Sequence, residues 1–152
     1  MAEYVIHTKH VEETMYIGEQ LAKVAMPGDV FALDGDLGAG KTHFSKGFAK
    51  GLHVEGNVNS PTFTIIKQYK GRLPLYHIDA YRLDDGEGEE IGLFDVIDGE
   101  GVSVIEWASI IEDELPDHTV RISLTRVSDE ERQLQFKGVD ERFEQVLKEF
   151  GQ

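Results

Sequence analysis

The sequence predicts a protein of the α/β class, in which a mixed, mostly parallel sheet is flanked by helices. Two largely apolar runs, at residues 30–33 (VFAL) and 102–105 (VSVI), are typical of strands buried on both faces of a parallel sheet. A glycine-rich loop follows the first run directly and leads into a helical segment. A strand, a loop and a helix in this order predict a ligand-binding edge of the sheet.

The helices follow from the spacing of apolar residues along the chain. They are predicted at residues 11–25, 41–51 and 140–150, where apolar or small residues recur every three or four positions. Pro27 ends the first helix, and Gly51 is expected to cap the second. The residues expected to face the core are Thr14, Gly18, Leu21, Ala22, Ala25, Phe44, Phe48, Phe143, Val146, Leu147 and Phe150.

The remaining strands are shorter and show more alternation between apolar and polar residues. They are predicted at residues 3–8, 119–125 and 133–137. Residues 62–69 and 73–78 form two further β-rich runs, separated by a short connection that contains glycine. This pattern predicts an antiparallel hairpin after the second helix.

The length and composition fit one globular domain spanning residues 1–152. The chain is 40% hydrophobic and 29% charged, which allows a sizeable core. It contains no cysteine, so disulfides and thiolate metal sites are excluded. Because neither a secretory leader nor an apolar run of about 18 residues is present, we expect a cytoplasmic protein without membrane association.

The charge of the chain is strongly acidic but unevenly distributed. A formal net charge of -14 argues against broad binding to nucleic acid, which requires clustered basic side chains. Residues 41–72 nevertheless contain six basic residues and one acidic residue, whereas residues 79–117 contain fourteen acidic residues and a single arginine. The basic half is expected to face phosphate, and its exposed part could contact an acidic partner or tRNA. The acidic half could dock a basic partner surface, whereas most of residues 84–90 is interpreted as a solvated loop.

The most specific motif is GDLGAGKT at residues 35–42, which fits the G-x-x-x-x-G-K-[ST] pattern in full. A buried strand before it and a helix after it are the context that this phosphate-binding loop requires. Gly38 and Gly40 allow successive backbone N–H groups to turn toward phosphate oxygens. Lys41 would contact the β- and γ-phosphates, and the Thr42 hydroxyl would bind Mg2+. The sequence therefore predicts a P-loop NTPase fold that binds ATP and Mg2+.

Two carboxylates, Asp79 and Glu106, each follow an apolar strand segment and are candidates for the catalytic site. In α/β folds, parallel strands present ligand-binding residues at this edge of the sheet. Hydrolysis of ATP needs carboxylates that hold Mg2+ and orient water, and both acids suit that role. The alternative interpretation is an ordinary cap or salt-bridge partner.

Three neighbouring features have two interpretations each. Trp107, the only tryptophan, either covers the sheet edge or contacts a nucleotide or a partner. Residues 60–64 (SPTFT) either sense the γ-phosphate or form a strand entrance with turn residues. His77 lies two residues from Asp79 on a predicted strand, but no third zinc-type ligand is near in sequence. We therefore interpret His77 as a structural residue or as a support for the site.

The motifs occur in the same order as in the bacterial TsaE family, formerly called YjeE, which the sequence resembles from about residue 10 to residue 110. The P-loop is common to many families, whereas this series of motifs is specific. The resemblance rests on Glu13-Thr14 with Gly18 and Leu21-Ala22, GDLGAGKT at 35–42, SPTFT at 60–64, HIDAYRL at 77–83, Gly92-Leu93 and IEW at 105–107.

The resemblance implies a small cytoplasmic ATPase that is needed for the threonylcarbamoyl modification of tRNA (t6A37). Such a protein would act with the TsaD and TsaB proteins and meet tRNA only through them. ATP hydrolysis would support repeated turnover of the complex, and the transfer itself would belong to TsaD. Site roles carry over by matching positions: Leu37, Gly38, Ala39, Gly40, Lys41 and Thr42 for the phosphates, Thr42 and Glu106 for Mg2+, Asp79 as the catalytic or Mg2+-orienting acid, Arg132 for the nucleotide and Val11 for the adenine.

Two alternatives to an accessory ATPase remain open. A small-molecule kinase would share the P-loop but would need an acceptor site and usually an arginine-rich lid. The chain has six arginines that do not cluster in sequence. A nucleotide-dependent binding module with incidental hydrolysis is the other alternative, and partner capture with ATP or ADP would identify it.

Overall fold

A computed structural model describes residues 2–35, 40–54, 66–79, 99–108 and 115–150. Within these ranges the chain forms three helices and one sheet of seven strands. The helices are α1 (Val11–Lys23), α2 (Lys41–Gly51) and α3 (Glu141–Leu147). The strands are β1 (Ala2–Thr8), β2 (Val30–Asp34), β3 (Ile66–Tyr69), β4 (Leu75–Asp79), β5 (Val102–Glu106), β6 (Val120–Arg126) and β7 (Arg132–Val139).

The strands lie in the order β1-β7-β6-β2-β5-β4-β3. Four adjacent strands, β6, β2, β5 and β4, run parallel to one another, whereas β7 and β1 extend one side of the sheet in antiparallel fashion. The pair β3 and β4 is antiparallel, which confirms the hairpin. The mixed α/β fold predicted from the sequence is therefore confirmed.

Phenylalanines are among the largest side chains of the main apolar cluster, which lies on one face of the sheet. Phe31 of β2 contacts Phe48 of α2 and Phe143 of α3, with ring centroids 4.8 and 5.2 Å away. A smaller apolar cluster containing Val30 and Ala32 lies on the opposite face. Because side chains alternate along a strand, both faces of β2 are buried, as the apolar run in its sequence predicted.

Glycines allow α2 to pack unusually close to α1. A Cβ atom at Gly47 would lie 1.9 Å from the carbonyl oxygen of Met15, and one at Gly51 would lie 2.2 Å from that of Glu19. Gly51 was expected to cap α2, and that expectation is wrong. Gly51 is the last helical residue, and it is His53 that has the positive φ angle of 61°. Glycine is needed at position 51 because a side chain there would collide with α1, and not because the chain reverses direction at this residue.

Two helices end earlier than their sequence patterns predicted. The first ends at Lys23, and the Arg72 side chain binds the carbonyl oxygens of Ala22 and Ala25 that the helix end exposes, at 2.8 and 3.1 Å. The third ends at Leu147, and the following three residues form a turn. None of the helices in the described part of the chain is long and apolar enough to cross a membrane.

The third helix is attached to the rest of the protein through Arg142. Its guanidinium binds both carboxylate oxygens of Asp29 at 3.0 Å and the carbonyl oxygen of Val24 at 2.8 Å. The hydrogen bonds that Arg142 donates to Asp29, and further contacts with Asp140, raise the pKa of Arg142 above its usual value. The bidentate pairing fixes the first turn of α3 against the end of α1.

Candidate functional site

The candidate site lies where β2 passes into α2. Asp34 is the last residue of β2, and Gly40 is the N-cap of α2 with a φ angle of 102°, a conformation that favours glycine. Residues 36–39 lie outside the described residues, so nothing follows here about Leu37, Gly38 or Ala39. The first turn of α2 contains no acidic side chain. Its N-terminus is thus suited to an anion, because backbone N–H groups and the helix dipole favour negative charge there.

Lys41, the first residue of α2, is buried although it carries an ammonium group. Its side chain is 5% exposed, and Nζ donates a hydrogen bond to the carbonyl oxygen of Gly35 at 2.7 Å. The same Nζ lies 3.7 Å from the centroid of the Trp107 ring. The carbonyl dipole and the aromatic face offset the desolvation of the charge. Thr42 is the next residue of α2 and is half-buried.

Trp107 is brought under Lys41 by a sharp turn at the end of β5. Its φ angle is 59°, which is rare for a bulky side chain, and its N–H donates to the carbonyl oxygen of Leu33 at 3.1 Å. This hydrogen bond extends the parallel pairing of β5 with β2 by one residue. The ring thus contacts a residue of the P-loop motif, and both interpretations of Trp107 stay predictions.

Glu106, the last residue of β5, is buried and paired with a histidine. It is 6% exposed, and its Oε2 lies 2.5 Å from Nε2 of His77, which is fully buried on β4. The strands are parallel, with His77 opposite Val104 and Asp79 opposite Glu106. The backbone of Asp79 therefore ends its strand beside Glu106, as predicted, while its side chain lies outside the described residues.

Arg132, at the start of β7, lies behind the N-terminus of α2. A Cβ atom at Gly40 would be 3.4 Å from its Nε, and its Nη1 donates to the carbonyl oxygens of Ser128 and Glu131 at 2.6 and 2.8 Å. The residue is 7% exposed. The structure thus brings the C-terminal arginine, which is distant in sequence, next to the P-loop motif.

Val11 begins α1 close to the same region and is half-buried. The hydroxyl groups of Thr8 and Thr14, on either side of this helix start, are 2.7 Å apart and buried. Thr8 Oγ1 also donates to the carbonyl oxygen of Arg132 at 3.5 Å. These hydroxyls tie the start of α1 to the strand that carries Arg132. Thr8 was missed in the sequence, because a threonine at the end of an alternating strand carries no distinguishing signal.

The donor groups of this region fit a magnesium ion held together with phosphate. Mg2+ prefers oxygen ligands and usually binds through one or two protein oxygens, waters and substrate phosphates. The hydroxyl of Thr42 and the carboxylate of Glu106 carry oxygen atoms of this kind. Within the ranges that the structure describes, no group of three or more His, Cys, Asp and Glu side chains could hold an ion unaided.

Several predicted features fall on residues that the structure does not describe. These are the SPTFT segment at 60–64 and most of the acidic region that begins at Asp79, including residues 80–98. The pairing of His77 with Glu106 was not predicted, because the two residues are far apart in sequence and belong to no common motif. Only the parallel register of β4 and β5 brings them together.

Comparison with known proteins gives consistent matches over most of the chain. A model of the family "Threonylcarbamoyl adenosine biosynthesis protein TsaE" matches residues 8–134. A tRNA threonylcarbamoyladenosine biosynthesis protein TsaE from Bacillus subtilis is 50% identical over 143 residues, which cover 93% of this chain and 90% of that protein. A protein of the same name from Treponema pallidum is 41% identical over 84% of this chain and 95% of its own length. The crystal structure of Bacillus subtilis YdiB matches with a TM-score of 0.79 and 43% identity, covering 98% of this chain and 94% of that one.

Proposed function

The chain belongs to the TsaE family of tRNA threonylcarbamoyladenosine biosynthesis proteins, and we propose that it serves this modification as an ATP-hydrolysing accessory protein. In this proposal it works in the cytoplasm with the TsaB and TsaD proteins and meets tRNA through them. Binding and hydrolysis of ATP with Mg2+ would support repeated turnover of that complex.

The observation that carries the ATPase proposal is the burial of Lys41 against Trp107. Trp107 directly follows Glu106 in the sequence. A P-loop lysine at the first position of a helix, with its ammonium 2.7 Å from the Gly35 carbonyl, lies where a phosphate at the helix N-terminus would meet it. The end of β5 delivers a buried carboxylate to the same edge of the sheet. A cationic phosphate site next to a carboxylate is the arrangement that phosphoryl transfer uses.

In the proposed hydrolysis, different residues bind the phosphates, hold Mg2+ and orient the attacking water. Backbone N–H groups at the start of α2 and the Lys41 ammonium would bind the phosphates, and Arg132 would add positive charge from behind Gly40. Bound Mg2+, held by Thr42 and Glu106, would neutralise charge that develops on the phosphate oxygens. Asp79, beside Glu106 at the strand ends, would orient the water that attacks the γ-phosphorus while the bond to the β-phosphate oxygen breaks.

The experiment that tests the proposal separates binding from turnover. We expect Asp79→Asn and Glu106→Gln to lower ATP hydrolysis by orders of magnitude while nucleotide affinity, measured by calorimetry, changes little. In a reconstituted system with TsaB and TsaD, both variants should allow at most one round of tRNA modification. Asp117→Asn, which changes an exposed acid before β6, is the matched control and should behave as the wild type.

Two results would contradict the proposal. If the wild-type protein released no phosphate from ATP in the presence of TsaB and TsaD, the enzyme assignment would be wrong. If a hydrolysis-deficient Asp79→Asn variant supported normal multiple turnover, ATP hydrolysis would not be coupled to the modification. Parallel losses of melting temperature, binding and activity would instead indicate a structural role for the two acids.

A further inference from the structure

The buried contact between His77 and Glu106 has a role that the P-loop motif does not account for. We propose that His77 is a positioning residue, which fixes the Glu106 carboxylate in the orientation needed for Mg2+. This inference rests on the proposed function, because it assigns a task to His77 only if Glu106 binds the ion. It predicts that the hydrogen bond from the histidine, and not its bulk alone, controls the affinity for the metal.

The geometry of the contact supports an orienting role. His77 Nε2 and Glu106 Oε2 are 2.5 Å apart, and the two side chains are 0% and 6% exposed. In the proposed role Nε2 donates the hydrogen bond and Oε2 accepts it, since a carboxylate that binds a metal ion acts as an acceptor. Because Oε2 accepts the hydrogen bond from the histidine, Oε1 is the carboxylate oxygen with more lone-pair capacity left for a cation. The contact thus favours one carboxylate oxygen for the ion.

The position of His77 in the fold makes this orientation rigid. It lies on β4, an inner strand held on one side by β3 and on the other by β5, so its backbone is fixed by hydrogen bonds on both sides. It shares a sheet face with Glu106, because it is paired with Val104 and side chains alternate along a strand. Glu106 lies at the very end of β5, where the backbone turns away into Trp107. A carboxylate at a strand end has more rotational freedom than one within the strand, and the histidine removes that freedom.

A purely structural explanation accounts less well for the contact. Within the described part of the chain, the second ring nitrogen of His77, Nδ1, is buried and has no hydrogen-bond partner. A histidine retained only to stabilise the core would leave one polar atom unsatisfied, which costs free energy compared with an apolar side chain. The loss of free energy from the unsatisfied nitrogen is explained if the imidazole is needed to orient the Glu106 carboxylate. Residues that orient metal ligands typically change metal affinity or activity by about 10–100-fold when they are replaced.

The test compares two amides that differ in reach. The side-chain nitrogen of glutamine is the same number of bonds from Cβ as Nε2 of histidine, whereas that of asparagine is one bond closer. His77→Gln can therefore still donate to Glu106, and His77→Asn cannot reach it. Ser103→Ala, which changes a buried hydroxyl on β5 that has no hydrogen-bond partner among the described residues, is the control for disturbance of the same pair of strands.

The primary measurement is ADP binding by calorimetry over a range of Mg2+ concentrations, together with binding in the absence of Mg2+. We expect His77→Asn to raise the Mg2+ concentration needed for half-maximal enhancement about 10–100-fold, without a comparable change in metal-free ADP binding. His77→Gln should restore most of the Mg2+ response, and Ser103→Ala should match the wild type. Nitrogen NMR of the metal-free protein should find the proton of His77 on Nε2, with its signal altered in Glu106→Gln.

Each alternative result has a distinct meaning. If His77→Asn kept the wild-type Mg2+ dependence, or if His77→Gln were as impaired as His77→Asn, the positioning role would be overturned while the proposed function stood. A proton found on Nδ1 instead of Nε2 would also overturn it. If the wild-type protein itself lacked any Mg2+-dependent nucleotide binding, the proposed function would fail and the inference would fall with it.

Discussion

Lys41 is a buried cation at the proposed phosphate site. Its ammonium is buried between a carbonyl oxygen and an aromatic ring, both of which stabilise positive charge without carrying a full negative charge. A phosphate oxygen is a stronger partner for an ammonium than either of these groups. Under the proposed function, a nucleotide phosphate would replace these contacts of the lysine.

This arrangement predicts that Lys41→Ala lowers ATP affinity about tenfold or more, since a hydrogen bond to a charged group contributes about 1.5–3 kcal/mol. Calorimetry with ATP and Mg2+ is the direct measurement. Lys46→Ala removes a half-buried lysine from the same helix and is the matched control, for which affinity should be unchanged. Equal affinity of wild type and Lys41→Ala would remove the lysine from the phosphate site.

At the scale of secondary structure, the start of α1 depends on a carboxylate. Glu13 accepts hydrogen bonds from the backbone N–H groups of Lys9 and His10, the latter at 3.3 Å. The bond from Lys9 is the main reason that the pKa of Glu13 is lowered from its ordinary value. A lowered pKa in the folded state means that the carboxylate stabilises the protein above the pKa of the unfolded chain. That contribution is lost as the pH falls through the folded-state pKa.

We therefore expect Glu13→Gln to reduce stability slightly near neutral pH and to have no effect in acid, once the carboxyl is protonated in both states. The loss should be only a few tenths of a kcal/mol, because the group is largely exposed and screened by solvent. Urea unfolding at neutral pH and at about pH 3 measures the difference. Glu12→Gln, at a neighbouring exposed position in the first turn, is the control for charge alone. A difference that persisted undiminished in acid would contradict the capping role.

The packing of α2 on α1 gives a second prediction at this scale. Gly47→Ala would place a methyl group within 1.9 Å of a backbone oxygen, which cannot move without displacing α1. We expect a loss of about 1–3 kcal/mol or more in the free energy of unfolding, as for other overpacked sites. Lys50→Ala, on the exposed side of the same helix, should change it by less than about 1 kcal/mol, since it loses only a surface ion pair with Glu19. Equal melting temperatures for both variants would contradict the close approach of the helices.

The elements differ in how well the sequence predicts them. The strand β2 and the helix α2 can be predicted from the sequence, because a fully apolar run and a glycine-rich loop leave few alternatives. The order of the strands in the sheet cannot be predicted in this way, since it depends on contacts between residues far apart in sequence. The role of Gly51 was misjudged for a related reason. A glycine at a helix end is typical of a cap, and only the position of α1 shows that close packing requires it.

The same distinction applies to the candidate site. Local sequence patterns identify Lys41, Thr42 and the two strand-end acids as candidates. Their expected placement at one edge of the sheet follows from the parallel fold. The Trp107 turn and the His77 contact depend on the register of β5 against its two neighbours, which no local pattern encodes. The resemblance to the family placed Arg132 near the nucleotide, and the structure brings this residue within reach of Gly40.

At the scale of the whole molecule, the net charge of -14 bears on how the protein meets RNA. Because binding to nucleic acid depends on neutralising phosphates, we expect the isolated protein to bind tRNA only weakly at physiological ionic strength. Fluorescence anisotropy with labelled tRNA, with and without TsaB and TsaD, measures this. Tight binding by the isolated protein, weakening steeply with added salt, would contradict the proposal that tRNA is met only through partners.

The turn that brings Trp107 beneath Lys41 has a practical consequence for the whole chain. Since the chain has no other tryptophan, all indole fluorescence comes from this one ring, 3.7 Å from the P-loop ammonium. Indole emission responds to a nearby charge, so any event that draws Lys41 away from the ring should change the colour or intensity of the emitted light. The protein thus carries its own optical reporter at the proposed phosphate site, and we expect that filling of that site can be followed in real time without a label.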